Sequence, residues 1–405
     1  MKIAVIAPTA IPARRANTIQ VMKMSQALVG LGYTVRLAAP LVKSRVNDEP
    51  DRSWEHLARH YGLACQFPID WLPAHQGLRS YDFGLRAVRW ARAWEADVIY
   101  TRLPQAAALA SLLGVNTIFE VHDLPSGDLG PLIFRLYLKG RGALRLVAIT
   151  QALAKELQEH FGAPDSEPFV VIAPDGVDLA RYKDLPFPME ARRILAGMGR
   201  VEPEFTLGRE NLPLQPGQFV VGYSGHMYAG RGVELLLDLA ERLPDVVFLL
   251  VGGDPQAVRQ FQAMAESRKL KNVILTGFVP NAELPLYQAA CDVLLMPYQH
   301  RVAASSGGDI APYLSPMKLF EYMACGRAIL SSDLPVLREV LNARNAVLLP
   351  PEDVLSWERA LRQLQADPAL RERLGKQARQ DVISYTWEGR AARIFAGFDS
   401  WSKPR

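Results

Sequence analysis

At 405 residues, 49% of them hydrophobic and 22% charged, the chain can bury a large core but exceeds what one core organises, so two domains are expected and disorder or a fibre is excluded. A formal net charge of +4, with basic residues scattered as at Arg14-Arg15, Arg192-Arg193 and Arg371 to Arg379, argues against a nucleic-acid partner. Three cysteines, Cys65, Cys291 and Cys325, are too few and too far apart for a disulfide framework or a zinc site, and are expected to be buried, reduced thiols.

The first apolar stretch, Met1 to Ala7, stops at Pro8 before polar residues, so it reads as a buried strand, Ile3 to Ala7, rather than a signal peptide. Further β-branched runs at Thr34 to Ala38, Val98 to Tyr100, Thr117 to Glu120, Leu146 to Ile149 and Val170 to Ile172 alternate with helical segments, which predicts a doubly wound parallel sheet. Between the first two, Val21, Met24, Leu28 and Leu31 share one face of a helix from Thr18 to Leu31, and Gly32 stops it. From about Leu185 to Gly217 the pattern dissolves into a segment carrying Pro186, Pro188, Pro203, Pro213 and Pro216. The rhythm restarts with strands at Phe219 to Ser224, Val246 to Val251, Val273 to Thr276, Val293 to Met296, Ala328 to Ser331 and Ala346 to Leu349, and helices at Val233 to Arg242, Glu283 to Ala290 and Pro316 to Cys325. The expected organisation is an N-terminal Rossmann-like domain over 1–185, a linker over 186–217, a second such domain over 218–384, and a closing segment over 385–405, helical from Trp387 to Trp401, that crosses back to the first. No run approaches the roughly 20 apolar residues of a membrane-spanning helix. A cytoplasmic protein is expected, with Arg14-Arg15 or an apolar face available for peripheral contact at the inner face of a membrane.

Ligands of open α/β sheets bind beyond the carboxyl ends of strands, which directs attention to the loops Ala7 to Asn17, Val121 to Ser126, Ser224 to Arg231 and Pro297 to Pro316. In the last, Ser315 fits an N-cap with Pro316 in the first helical turn, and such a helix start offers free N–H groups to a phosphate. Glu321 lies about 7 to 8 Å further along the axis at 1.5 Å per residue, within reach of ribose hydroxyls. On spacing alone a capped helix with Lys318 and Glu321 as an exposed pair stays open. Asn17 or Thr18 is equally suited to capping the first helix, and His122 to a structural role.

The run Ser-Pro-Met-Lys-Leu-Phe-Glu-Tyr-Met-Ala-Cys-Gly from Ser315, with Ser331 to Val340 after it, resembles the donor signature of family 4 glycosyltransferases. Tyr223 to His226, Arg231-Gly232, Val251 to Asp254, Thr276 to Pro280 and Pro174 to Asp178 resemble that family in the same order. The resemblance implies the GT-B fold, two Rossmann-like doubly wound parallel-sheet domains facing a central cleft, and retaining transfer. It implies donor contacts from Gly225, His226, Arg231, Ser315, Met317, Lys318, Leu319 and Glu321, with Glu321 on the ribose and N–H groups near Met317 and Lys318 on the distal phosphate. It places His122 on the transferred sugar and Asn17, Gln20, Arg102 and Asp123 toward the acceptor, Asp123 either orienting His122 or capping the next turn. Three positions depart from the family pattern. Arg231 stands for a lysine, His226 for an arginine, and Tyr313 for the first of two glutamates, with Asp309 as a candidate substitute.

No metal-ligand cluster is visible in the sequence, so His122, Arg231 and Lys318 are expected to carry metal-independent transfer from a nucleoside-diphosphate sugar to a hydroxyl acceptor, with no cofactor. Two alternatives share the architecture: a sugar-nucleotide epimerase, and a catalytically silent partner in polysaccharide assembly.

Overall fold

The computed structural model describes residues 1–41, 50–75, 81–165, 167–197, 212–303 and 308–398. The chain divides into two units, Met1–Gly176 with Trp387–Arg405, and Val177–Thr386.

Unit 1 is built on the strands β1 (Lys2–Ile6), β2 (Thr34–Leu41), β3 (Ile69–Pro73), β4 (Val98–Thr101), β5 (Thr117–Val121), β6 (Ala143–Ala148) and β7 (Val170–Ile172). They pair in parallel in the order β3-β2-β1-β4-β5-β6-β7. The order reverses between β1 and β4, which opens a crevice at the carboxyl ends of those strands. Strand β3 escapes sequence reading because it lies at the sheet edge, is only half-buried and ends in Pro73, so it lacks the continuous apolar run of a central strand. Its Asp70 instead accepts three hydrogen bonds from the Arg36 guanidinium of β2, at 2.8, 3.0 and 3.1 Å.

The helix Trp387–Phe395 belongs to unit 1. Trp387, Arg390, Ala391, Ile394 and Phe395 form its buried face, with the Phe395 ring 5.8 Å from Tyr33 and 5.9 Å from Tyr100. Arg145 of β6 donates to the carbonyls of Ile394 and Ala396 at its end.

Unit 2 contains β8 (Phe219–Ser224), β9 (Val246–Val251), β10 (Val273–Gly277), β11 (Val293–Met296), β12 (Ala328–Ser332) and β13 (Val347–Leu349), parallel in the order β10-β9-β8-β11-β12-β13. All six residues of β9 are buried, as both faces of a parallel sheet covered by helices require. Here the order reverses between β8 and β11.

The division falls after Gly176, not at Leu185. Val177 N–H bonds the Tyr385 carbonyl at 2.9 Å, and Arg181 and Tyr182 donate to Asn281 and Gln288 at 2.7 and 2.9 Å, which ties this segment to unit 2. The proline-rich segment read as a linker is also partly folded. Pro188 opens a helix, Pro188–Gly197, where its fixed φ and missing N–H do no harm. Buried Arg192 of that helix donates to the carbonyls of Ala290 and Pro216 at 2.8 and 2.9 Å and pairs with Asp292. Residues 198–211 of the expected linker, 304–307 of the loop Pro297 to Pro316 and 399–401 of the expected closing helix lie outside the described residues. Of the cysteines, Cys291 and Cys325 are buried and Cys65 is half-buried; all are free thiols.

Trp357, fully buried in unit 2, packs in its core and donates to the Pro350 carbonyl at 3.1 Å. Trp357→Ala is expected to lower the unfolding free energy by about 3–5 kcal/mol in denaturant titration; a loss below about 1 kcal/mol would contradict this packing.

Candidate active site

The expected site residues form one group in each unit. In unit 2 they gather at the reversal between β8 and β11. Gly225 follows β8 with φ 139°, a region that disfavours side chains, and a Cβ there would lie 2.8 Å from Lys318 Nζ. Lys318 enters from the first turn of the helix Met317–Cys325. Its Nζ sits 3.7 Å from the Tyr223 ring centroid and 5.6 Å from that of Tyr298. Arg231 packs on the other side, its guanidinium 5.3 Å from the Tyr298 ring and its Nη1 donating to the Tyr298 hydroxyl at 3.2 Å. Neither Lys318 Nζ nor Arg231 Nε, both buried atoms, has a hydrogen-bond partner among the described residues. Burial, then the Arg231 charge, pushes the Lys318 amine well below its ordinary range, with Glu321 opposing.

The helix start differs from the expected cap. Pro316, with extended backbone, holds the cap position, Ser315 lies outside it, and no side chain caps the helix. A residue before proline is disfavoured in the helical region, which is consistent with the helix starting after Ser315. The Leu319 N–H is used by the Pro316 carbonyl at 2.9 Å and its side chain is buried, so Met317 and Lys318 supply the open N–H groups. Glu321, buried, accepts from Gln288 Nε2 at 3.3 Å. Gln288 in turn accepts from Tyr182 at 2.9 Å and lies 3.2 Å from Ser224 Oγ, so a buried polar chain backs the carboxylate. The His226 ring stacks on Tyr228 at 4.8 Å. Asp309 Oδ1 accepts from the Val302 and Ala311 N–H groups at 2.8 and 3.0 Å, and the Tyr313 hydroxyl donates to the Asp309 carbonyl at 3.0 Å. That use of Asp309 is structural: it organises the loop that leads into the helix.

In unit 1, His122 follows β5 and is 17% exposed. Its Nε2 meets Glu120, whose carboxylate also accepts from Gln20 Nε2 at 2.7 Å and from the Tyr100 hydroxyl. Arg390, from the closing helix, lies 2.9 Å from Glu120 at ion-pair distance without hydrogen-bond alignment, and donates to Tyr100 and the Pro174 carbonyl at 3.2 and 2.9 Å. Arg102 donates to Gln20 Oε1 at 3.2 Å. Burial works against the Glu120 charge, but Arg390, followed by His122 and Arg102, holds the carboxyl below its usual range. Burial pushes Asp175 up to about 6, with Arg390 opposing.

Two acceptor assignments change. Gln20 is 1% exposed, with both amide atoms engaged in this network, so it is not placed to meet an acceptor. The carboxylate on the His122 ring is Glu120, while Asp123 accepts from the Leu124 N–H at 2.8 Å. Asn17 does not cap the first helix, which begins at Ala16 with Arg15 at the cap; its Oδ1 accepts from Thr9 at 3.3 Å, and Thr18 donates to Ala13 and Arg15 carbonyls. No metal cluster is visible in the sequence, yet Glu120, His122 and Asp175 bring ligand atoms within 4.8 Å of one another. Arg390 and Arg102 stand among the same carboxylates and already supply positive charge there.

Sequence reading also missed Arg390, Glu120 and the aromatic shelf of Tyr223 and Tyr298. A signal existed for the first two. Arg390 sits between Trp387, Ala391 and Ile394 on an apolar stripe, and Glu120 interrupts an apolar strand.

Two family models match the chain in tandem: Glycosyltransferase Family 4 over residues 18–181 and Glycosyl transferases group 1 over residues 205–381. The chain belongs to the group 1, family 4-type glycosyltransferases. Among similar proteins, 2-deoxystreptamine glucosyltransferase of Streptomyces kanamyceticus is 27% identical over 64% of this chain and 74% of its own length. D-inositol 3-phosphate glycosyltransferase of Xylanimonas cellulosilytica is 29% identical over 64% of this chain, and the match takes in 58% of that relative, less than two thirds of its length. The fold is GT-B. Sucrose-phosphate synthase of Thermosynechococcus elongatus superposes with a TM-score of 0.71 at 18% identity over 97% of both chains. Anabaena HepE in complex with UDP and glucose does so at 0.71 and 16%, over 99% of this chain and all of that one.

An amine whose folded-state pKa is depressed binds fewer protons folded than unfolded, so stability rises with pH between the lowered value and the ordinary value of about 10.4. Lys318→Met is expected to remove that slope in this group 1 glycosyltransferase and to stabilise the ligand-free chain by about 1–3 kcal/mol, the cost of an unsatisfied buried polar group. Denaturant titration across pH reads both; a destabilised variant would mean that the amine is satisfied.

Proposed function

We propose that this glycosyltransferase moves a sugar from a nucleoside-diphosphate sugar to a hydroxyl acceptor, with retention of configuration and without a metal ion. The observation that carries the reading is the pair of cations, Lys318 and Arg231, buried beside an uncapped helix start with hydrogen-bonding capacity unused. Such a group of donors suits a diphosphate, whose charge grows as it leaves. Glu321 accepts hydrogen bonds from the ribose, and Gly225 keeps the approach to Lys318 open. The UDP held by Anabaena HepE is in keeping with a nucleotide donor.

In the reaction the bond from the anomeric carbon to the phosphate oxygen breaks, and a bond to the acceptor oxygen forms on the same face. The acceptor proton passes to the departing phosphate. A diphosphate needs no general acid to leave, so the paired carboxylates of glycosidases are not required. His122 meets a substrate hydroxyl, and the resemblance to family 4 supports retention.

A thermal-shift screen of UDP-, GDP- and ADP-sugars in the presence of a chelator tests the donor. One donor is expected to raise Tm, since ligand at 100 Kd adds about 2.7 kcal/mol; a flat response to all three would remove the diphosphate site. With that donor, Glu321→Ala is expected to weaken binding at least tenfold. Transfer should persist in chelator and give a product with the donor's anomeric configuration. Recovery of rate only on adding a divalent cation would overturn metal independence. Full transfer rate in His122→Ala would remove its substrate contact.

A further inference from the structure

We propose that Arg390 and Glu120 are positioning residues that hold His122 as the neutral Nε2–H tautomer and leave its Nδ1 as a hydrogen-bond acceptor for a substrate hydroxyl. The proposal rests on the reading that His122 meets substrate.

Donor and acceptor chemistry fixes each step. Arg102 can only donate, so the Gln20 atom 3.2 Å from it is the oxygen, and the atom 2.7 Å from Glu120 is the amide nitrogen, a donor. The Tyr100 hydroxyl reaches the second Glu120 oxygen, and burial, then the Glu120 charge, keeps that phenol protonated by pushing its pKa up. Arg390, 2% exposed, stands 2.9 Å from the same carboxylate, which is wholly buried. A carboxylate ringed by a guanidinium, an amide N–H and a phenol O–H is ionised, and an ionised carboxylate only accepts. The His122 nitrogen facing it, Nε2, therefore carries a proton.

The second nitrogen does not. The charged and titratable groups around the ring are Tyr100 and Arg102 at the end of β4, Glu120 on β5, Asp175 beyond β7 and Arg390 on the closing helix. Burial first, then Arg102, depresses the imidazole to about 3 against the pull of Glu120, and Arg390 adds to the depression. Nδ1 has no hydrogen-bond partner among the described residues. His122 is thus a hydroxyl-binding base on the substrate side and a donor on the protein side. The closing helix sets that state by placing one guanidinium against Glu120.

The test uses the full chain with 15N-labelled histidine, reading ring tautomer and titration by long-range 1H–15N NMR, with the His122 signals assigned from His122→Ala. In the wild type, the Nε2–H tautomer is expected with no titration between about pH 5 and 8. In Arg390→Met the ring is expected to titrate at a higher pH than in the wild type, because one of the charges that depress it is gone while burial and Arg102 remain. The transfer rate then falls about tenfold per pH unit below that point, as the Nδ1 lone pair is lost. Arg390→Lys keeps the charge and is expected to restore the wild-type titration, which a role in folding alone would not predict. A wild-type ring that carries its proton on Nδ1, or titrates near its ordinary value of about 6.5, overturns the proposal and needs no variant to fold. Unchanged titration in Arg390→Met overturns the role of Arg390. Loss of the substrate contact would show instead as full transfer rate in His122→Ala with the tautomer as expected, which separates the two readings.

Discussion

A buried amine without a hydrogen-bond partner is costly, and among the described residues Lys318 is in that position. Its Nζ faces the Tyr223 ring, and a guanidinium shares its surroundings. The electron-rich aromatic faces offset part of the cost, while Glu321, three residues along the same helix, offers an opposing charge. Much of what surrounds Lys318 follows from holding that charge in place. Gly225 has a φ of 139° that would strain any side chain, so the space beside the amine stays free, and the helix start nearby lacks the side-chain cap that would occupy its N–H groups. The arrangement leaves charge and donors unsatisfied in the ligand-free chain, so an anion that binds there gains what the fold leaves open.

Unit 1 solves the opposite problem. Around Glu120, guanidinium, amide, phenol and imidazole satisfy one carboxylate, and Asp175 and Arg102 extend the balance. Balanced networks of this kind are rigid because each member is required by its neighbours. The two groups thus differ in kind: in unit 2 buried donors beside the helix start are left unsatisfied, and in unit 1 donors and acceptors balance around one carboxylate. Both lie where strand order reverses or one strand beyond, as the topology of open parallel sheets directs.

The strands were legible where both faces are buried. β8, β9 and β11 match their expected runs residue for residue, because burial on both sides requires largely unbroken β-branched and aliphatic sequence. β3 was not, since an edge strand with Asp70 and Pro73 carries no such run. The helix at Met317 was legible, but its cap was not. The Ser315-Pro316 pair suits a cap at either residue, and only the extended backbone at Pro316 decides between them. The residues gathered around Lys318 in unit 2 were legible as a motif, and their aromatic shelf was not, because Tyr223 and Tyr298 lie on different strand ends with no spacing to link them. Gln20 illustrates the limit most plainly. Its position in the first loop and helix marks it for an acceptor, while its burial against β4 and β5 is a tertiary fact, joining residues 80 and 100 positions apart.

The central claim, that Lys318 is a buried cation awaiting a diphosphate, is most directly tested by counting protons taken up on binding. Calorimetric titration of the chain with the nucleoside diphosphate of its active donor, in buffers of different ionisation enthalpy, gives that number. The account predicts net proton uptake at alkaline pH, below the ordinary lysine value of about 10.4, as the diphosphate raises the depressed amine, and its disappearance in Lys318→Met. Binding of undiminished strength in Lys318→Met, or proton uptake equal in the two proteins, would contradict it.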